Sequence, residues 1–240
     1  MKKLISLLLL SLAGLLFLTL FSGCGRKGSG KVVTEERKVK PFRKISVSGV
    51  FPVEITQNGG PASVKVQTDE NLQDIIRVYN DEEWLHVETE DNAKIRRSTK
   101  MKVQININDI DELEFQSVGS LKTTGTIKLD SLELYSEAVG KLNLSIEADY
   151  LRANLNSVGS TTLDGKVREV RINNKSIGSL SAYGLKTNTI MIHNTAVGTA
   201  EVYADSAFYI RSSAIGTLYY KGSGEVKELK SEGIGKVEKK

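Results

Sequence analysis

The side chains that carry most enzyme chemistry are scarce in this sequence: two histidines, His86 and His193, and one cysteine, Cys24, among 240 residues. The histidines lie far apart, each at a polar position of an alternating strand pattern, and are expected outside and solvated instead of acting as a base or a ligand pair. Zinc sites of the Cys or Cys/His type need cysteines that are not there. Ser117, Ser157 and Ser176 each precede a Val-Gly or Ile-Gly pair, but a nucleophile elbow needs Gly-x-Ser-x-Gly opening a helix, with a histidine partner. These serines are expected to bond neighbouring backbone at bends. Carboxylates cluster at Asp81, Glu82, Glu83 and at Asp109, Asp111, Glu112. Glycan-cleaving enzymes work with such groups, yet both clusters precede the repeats described below, so turns and solvation are the favoured reading. No catalytic, cofactor or metal site is assigned.

The setting of Cys24 explains why it stands alone. Met1, Lys2 and Lys3 precede an apolar run from Leu4 to Phe21, followed by Ser22 and Gly23. That is the charged, apolar and small-residue order of a secretory signal, so residues 1–23 are expected to be removed. The run approaches the roughly 17–25 residues of a spanning helix, but its flanks favour export. Ser22, Gly23 and Cys24 resemble the lipobox of bacterial lipoproteins, with Phe21 where that motif usually has leucine. The resemblance implies a lipid on Cys24 that anchors the mature chain to a membrane. It also accounts for a single cysteine in an exported protein, which has no internal disulfide partner. The expected location is the cell envelope, as an outer-membrane lipoprotein. Gly25, Arg26 and Lys27 tilt the expectation toward the periplasmic face, with the cell surface as the alternative.

Loss of Lys2 and Lys3 leaves 31 basic against 29 acidic side chains. A nearly neutral domain argues against nucleic acid, which calls for a clustered basic stripe. Arg96, Arg97, Lys100 and Lys102 form the only compact basic cluster and read as a solvated strand or loop.

Residues 24–40 carry Gly, Ser and charge without apolar periodicity and are expected as a flexible lipidated tether. Residues 41–116 alternate in short runs, such as Ile45 and Val47, Val53 and Ile55, or Val103, Ile105 and Ile107, broken at Asn58-Gly59-Gly60-Pro61 and Asn80-Asp81. Period two predicts half-buried strands and the first coils of the domain. Leu72, Ile75, Ile76 and Tyr79 fall at helical spacing and predict one short helix over 69–79. Residues 117–240 repeat a small residue, Val or Ile, Gly, then a small residue or Lys, around Gly119, Gly140, Gly159, Gly178, Gly198, Gly216 and Gly235, at spacings of 21, 19, 19, 20, 18 and 19. Leu132 and Leu134, Leu151 and Ala153, Val170 and Ile172, Ile190 and Ile192, and Phe208 and Ile210 recur at fixed offsets before the glycines.

A unit of about 19 residues is too short to bury its own apolar face and must stack on copies of itself. One unit per coil puts equivalent residues about 4.8 Å apart and makes a parallel β-helix. The glycines are expected as structural corners needing positive φ or close backbone approach. The Val and Ile beside them are expected to stack inside, Val158 included. An antiparallel meander is the alternative.

Phe42, Arg43, Ile45, Val47, Ser48-Gly49, Phe51, Val53, Ile55, Gln57, Val64, Val66, Glu70-Asn71-Leu72, Leu85, Val87 and the tandem Val-Gly or Ile-Gly units together resemble the head GIN domain family of auto-transporter adhesins. The resemblance covers about residues 40–237. It implies an all-β, single-stranded right-handed parallel β-helix (a β-solenoid) on a Bacteroidetes-type envelope, with no catalytic residues. Asn143, Asn154, Asn156, Asn173, Asn174, Asn194, Tyr203 and Tyr209 are expected on outer faces, which suits a glycan or protein ligand. A periplasmic scaffold or sensor is the alternative, and a carbohydrate-active enzyme a weaker one. Dense charge from Glu225 to Lys240 discourages end-to-end pairing of the last coil, and a monomer is expected.

Overall fold

In the computed structural model, which describes residues 25–90 and 93–240, the chain winds into a β-solenoid of about 7 turns with coils of ~19 residues. Val139–Leu155 and Val158–Asn174 are strands of 17 residues each. They pair in parallel in one register, from Val139↔Val158 to Leu155↔Asn174. Bends at 137–138, 156–157, 175–176, 195–196 and 213–214 interrupt the ladder and turn the chain into the next coil.

Alternation then sorts the side chains. One inward column runs Leu85, Ile45, Leu113, Leu134, Ala153, Ile172, Ile192, Ile210, and none of these is more than 3% exposed. A second runs Val103, Val53, Leu121, Leu142, Thr161, Leu180, Ala200, Leu218. Each buried Val, Leu or Ile contributes roughly 1.5–3 kcal/mol relative to exposure, and the stacked columns form one continuous core along the coils.

The start of the stack departs from chain order. Lys44–Gly49 lies between Trp84–Thr89 and Glu112–Thr124, and Val53–Thr56 lies between Met101–Asn106 and that same long strand. Antiparallel pairs close this end: Ser63–Asp69 against Met101–Asn106, Val32–Arg37 against Ser63–Asp69, and Ile76–Asp81 against Trp84–Thr89.

Four expectations change. The segment expected as a tether is, from residue 25 onward, part of this cap: Val32–Arg37 pairs in the sheet and Arg26–Lys27 pairs with Ile95–Arg97. Its polar alternation suits an edge strand, which buries little. The expected helix is a 3-10 turn over Glu70–Ile75, and Tyr79 stands on the strand Ile76–Asp81, because pairing with Trp84–Thr89 outweighs a local helical pattern. Asn174 and Asn194, expected outside, are 2% and 1% exposed. The amide of Asn174 donates to Asn194 Oδ1 at 2.9 Å, and Asn174 Oδ1 accepts from the Ser176 N–H at 3.3 Å.

The fourth change concerns the repeat itself. Val118, Val139, Val158, Ile177, Val197 and Ile215 stack in register, but on the outside, with exposures of 44–55%. What faces inward is the small residue just before each, Ser117, Ala138, Ser157, Ser176, Ala196 or Ala214, at most 9% exposed. Only a small side chain fits inside a tight bend.

Gly119, Gly140, Gly159, Gly178, Gly198 and Gly216 also stack in register, just after the bends and not at them. From Gly140 to Gly216 their φ angles run from +143° to +127°. A Cβ on Gly140 would lie 1.8 Å from the carbonyl oxygen of Gly119, and one on Gly159 2.0 Å from that of Gly140. Gly119 and Gly235 face the same crowding, 2.8 Å from Phe51 O and 2.3 Å from Gly216 O.

Candidate binding trough

The outward positions between the buried columns form two ladders that flank the bends. One runs Glu114, Tyr135, Asn154, Asn173, His193, Arg211, Lys230. The other holds Gln116, Glu137, Asn156, Lys175, Thr195, Ser213 and Glu232, two residues further along in each coil. Between them lies a shallow trough along the solenoid. Its upper part, about 270 Å³, is lined by Gln116, Tyr135, Asn154, Asn156, Asn173 and Lys175 among others. Its lower part, about 230 Å³, is lined by His193, Arg211, Ser213, Lys230 and Glu232.

The two halves differ in chemistry. In the lower half Arg211 is committed to Glu228, at 2.7 Å. That hydrogen bond raises the Arg211 pKa and holds the Glu228 carboxyl below its ordinary value. In the upper half the Asn173 Oδ1 is buried without a partner among the described residues. A buried acceptor left unpaired costs free energy until something donates to it. Nearby, Tyr135 presents a ring, and its hydroxyl donates to Glu133 at 2.8 Å, which raises its pKa.

A second concavity, about 530 Å³, lies on another side, lined by Lys128, Glu147, Asp149, Lys166, Arg168 and Lys186 among others. Its charges answer one another across successive coils: Lys128 pairs with Glu147 and Arg168 with Asp149, each at 3.2 Å. Such exposed pairs are worth little, but they leave fewer free groups for a ligand.

The residues considered for chemistry are dispersed. His86 stacks between Tyr79, at 4.9 Å, and Trp84, at 6.0 Å, on the same outward ladder as His193 but separated from it by Ser46, Glu114, Tyr135, Asn154 and Asn173. Arg43 binds both Asp109 and Asp111, and Lys44 pairs with Glu112 at 3.1 Å. The carboxyl of Asp111 is accordingly held below its usual range, first by its bond from Arg43. This acidic cluster is thus neutralised in a structural network, and Asp81, Glu82 and Glu83 lie exposed at a turn. Of the basic cluster, Lys102 is bound to Glu54. Among the described residues no group of three or more His, Cys, Asp or Glu is placed to hold a metal ion. Cys24 lies outside the described residues. No described helix is long and apolar enough to cross a membrane. The trough was missed as a unit from the sequence, although its ladders recur five and three residues before each repeat glycine.

The described residues thus form a β-solenoid with polar outward ladders flanking its bends. The chain belongs to the family described as putative auto-transporter adhesin, head GIN domain, whose model matches residues 41–224. It is similar to the crystal structure of a putative adhesin from Bacteroides fragilis at 25% identity and a TM-score of 0.84, over 90% of this chain and 100% of that one. It also resembles a putative lipid binding protein from Parabacteroides distasonis, at 20% identity and a TM-score of 0.67, over 90% and 99% of the two chains. A putative adhesin from the same species matches at 22% identity and a TM-score of 0.64, over 89% and 99%. The last two likenesses are of fold. No curated relative matches the chain.

Proposed function

We propose that this protein is an envelope-anchored binding module, held to the outer membrane by a lipid on Cys24, whose trough takes a linear uncharged polymer, a glycan strand or an extended peptide. The observation that carries this reading is the upper trough, where an unpartnered Asn173 acceptor lies beside the amides of Gln116, Asn154 and Asn156 and the ring of Tyr135, with Glu114, Glu137 and Lys175 also in its lining. Amides supply paired donors and acceptors and an aromatic ring supplies apolar contact at small entropic cost, the combination that adaptable binding surfaces use. Repetition of the ladders at every coil suits a repeating ligand, because several weak contacts on one polymer add as avidity.

The test is binding of the mature chain to arrays of neutral glycans and unstructured peptides, with the Asn154→Ala/Asn156→Ala double variant beside it. Saturable binding that falls at least tenfold in the variant, with an unchanged melting curve, is expected. Binding unaffected by the double variant places recognition elsewhere, and absence of any bound polymer refutes the trough as a ligand site.

A further inference from the structure

Among the described residues, the outward Val and Ile column is an extended apolar feature that the trough does not use. Val118, Val139, Val158, Ile177, Val197 and Ile215 are joined at its ends by Val50, 61% exposed, and Ile234, 85% exposed. Both ends follow from register, since Ser117 pairs with Gly49 and Thr217 with Lys236. Eight β-branched side chains, one per level at about 4.8 Å, make a straight ridge about 34 Å long. Soluble proteins seldom leave so long a contiguous apolar feature uncovered.

The residues flanking the ridge indicate what covers it. Two positions after it stand Ser120, Lys141, Ser160, Ser179, Thr199, Thr217 and Lys236, and two positions before it Gln116, Glu137, Asn156, Lys175, Thr195, Ser213 and Glu232. Most are short, so a flat partner can approach. Two identical ladders of β-branched residues with the same repeat can pack face to face as a dry apolar seam. A closed pair has a two-fold axis, which lies either along the ridge or across it. With the axis along the ridge, each level meets its own level and the leading flank of one copy faces the trailing flank of the other. Glu137 then faces the partner's Lys141, and Glu232 faces the partner's Lys236, each twice by symmetry. Lys175 faces the partner's Ser179, and no like charges meet. With the axis across the ridge, Glu137 meets the partner's Thr195 and Glu232 the partner's Ser48, with no opposite pair. An anionic membrane surface would meet Lys141 and Lys236 on the trailing flank but also Glu137 and Glu232 on the leading one.

We propose that the ridge is a self-association surface on which two copies of this chain pack side by side and parallel, with the two-fold axis running along the Val and Ile column. A ridge about 34 Å long and four residues, about 13 Å, wide covers roughly 440 Å² per copy. The total of roughly 900 Å² belongs to the weak class of specific interfaces. The trough's outer ladder, Glu114, Tyr135, Asn154 and Asn173, stands two residues further from the axis and stays open, while its inner ladder, Gln116, Glu137 and Asn156 included, borders the interface. The expectation of a monomer rested on the charged last coil, which guards the end of the stack, whereas the ridge lies along its side.

The test is disulfide trapping of the full chain in its native membrane, with Val118→Cys, Val158→Cys and Ile215→Cys introduced singly and the parent as control for Cys24. Each variant is expected to cross-link to its own position, mapped by mass spectrometry. Glu137→Lys is expected to lower the yield at least fivefold, and Glu137→Lys/Lys141→Glu to restore it. Cross-linking only when Val118→Cys and Ile215→Cys chains are mixed would mean an antiparallel pair and overturn the proposal. So would no trapping at any of the three positions, or a charge exchange without rescue.

Discussion

At Gly159 two constraints coincide, a φ of +139° and an added Cβ that would lie 2.0 Å from the Gly140 carbonyl oxygen. The oxygen belongs to a ladder backbone that cannot move without breaking the coil beneath. Gly159→Ala is therefore expected to lose on the order of 3 kcal/mol or more. Gly125 has a φ of +78° and nothing within 4 Å of the added carbon, so Gly125→Ala is expected to lose only about 1–2 kcal/mol, the left-handed penalty alone. Urea midpoints of the two variants measure the difference. Glu54 presents a different residue-scale constraint. It sits between Lys102 and Lys122, the latter at 2.9 Å, and the bond from Lys102 leads in lowering its pKa from 4.5 to about 2. A depressed carboxyl stabilises the fold fully above its unfolded value and loses that contribution as pH falls from about 4.5 toward 2. Glu54→Gln is expected to cost about 1–3 kcal/mol at neutral pH and to flatten stability across that acidic window, as acid-unfolding profiles of both proteins would show.

Individual strands show why side matters more than residue type. Val158 and Leu163 lie on the same strand, Val158–Asn174, yet Val158 is 48% exposed and Leu163 0%. Leu163→Ala removes buried carbons and leaves a cavity, with an expected loss of about 2–5 kcal/mol. Val158→Asp places a charge in solvent and is expected to shift stability by no more than about 0.5 kcal/mol, measured in dilute solution where the chain is monomeric. A large loss at Val158→Asp would turn that ridge inward. The buried Asn174 and Asn194 make the same point in reverse: polar side chains occupy an inward column because they bond each other from coil to coil.

Across the whole molecule, the parallel stack needs an end, and the antiparallel cap provides it. Its latch is Asp69, fully buried, whose carboxylate accepts from the Gly30 and Thr99 backbone N–H groups at 2.7 Å and from the Thr99 hydroxyl at 2.9 Å. These bonds, led by the one from the Thr99 N–H, hold its pKa below the usual value. Asp69→Asn turns one acceptor into a donor facing an N–H. It is expected to release residues 25–37 and 95–100, seen as at least tenfold faster amide exchange there with the repeat coils unchanged. Uniform acceleration along the chain would make the cap and the coils one cooperative unit instead.

Much of this was legible from spacing alone. The period of about 19, the inward columns ending in Leu132, Leu151, Val170, Ile190 and Phe208, and the stacked glycines are local patterns repeated often enough that only one register satisfies them all. The parallel solenoid was the favoured outcome, with an antiparallel meander as the alternative, because a unit that short must stack on copies of itself to bury its apolar face. What tertiary structure alone decided was the direction in which the bend residues point. Val158 and Ser157 are adjacent, and alternation says only that they face opposite ways. The tight bend, which admits a hydroxymethyl and not an isopropyl group, assigns Ser157 to the interior and the valine to the surface. The order of the first coils and the pairing of Val32–Arg37 were likewise invisible, since those contacts join strands distant in sequence with no repeat to announce them. The trough and the ridge are products of that long-range register, each assembled from one side chain per coil.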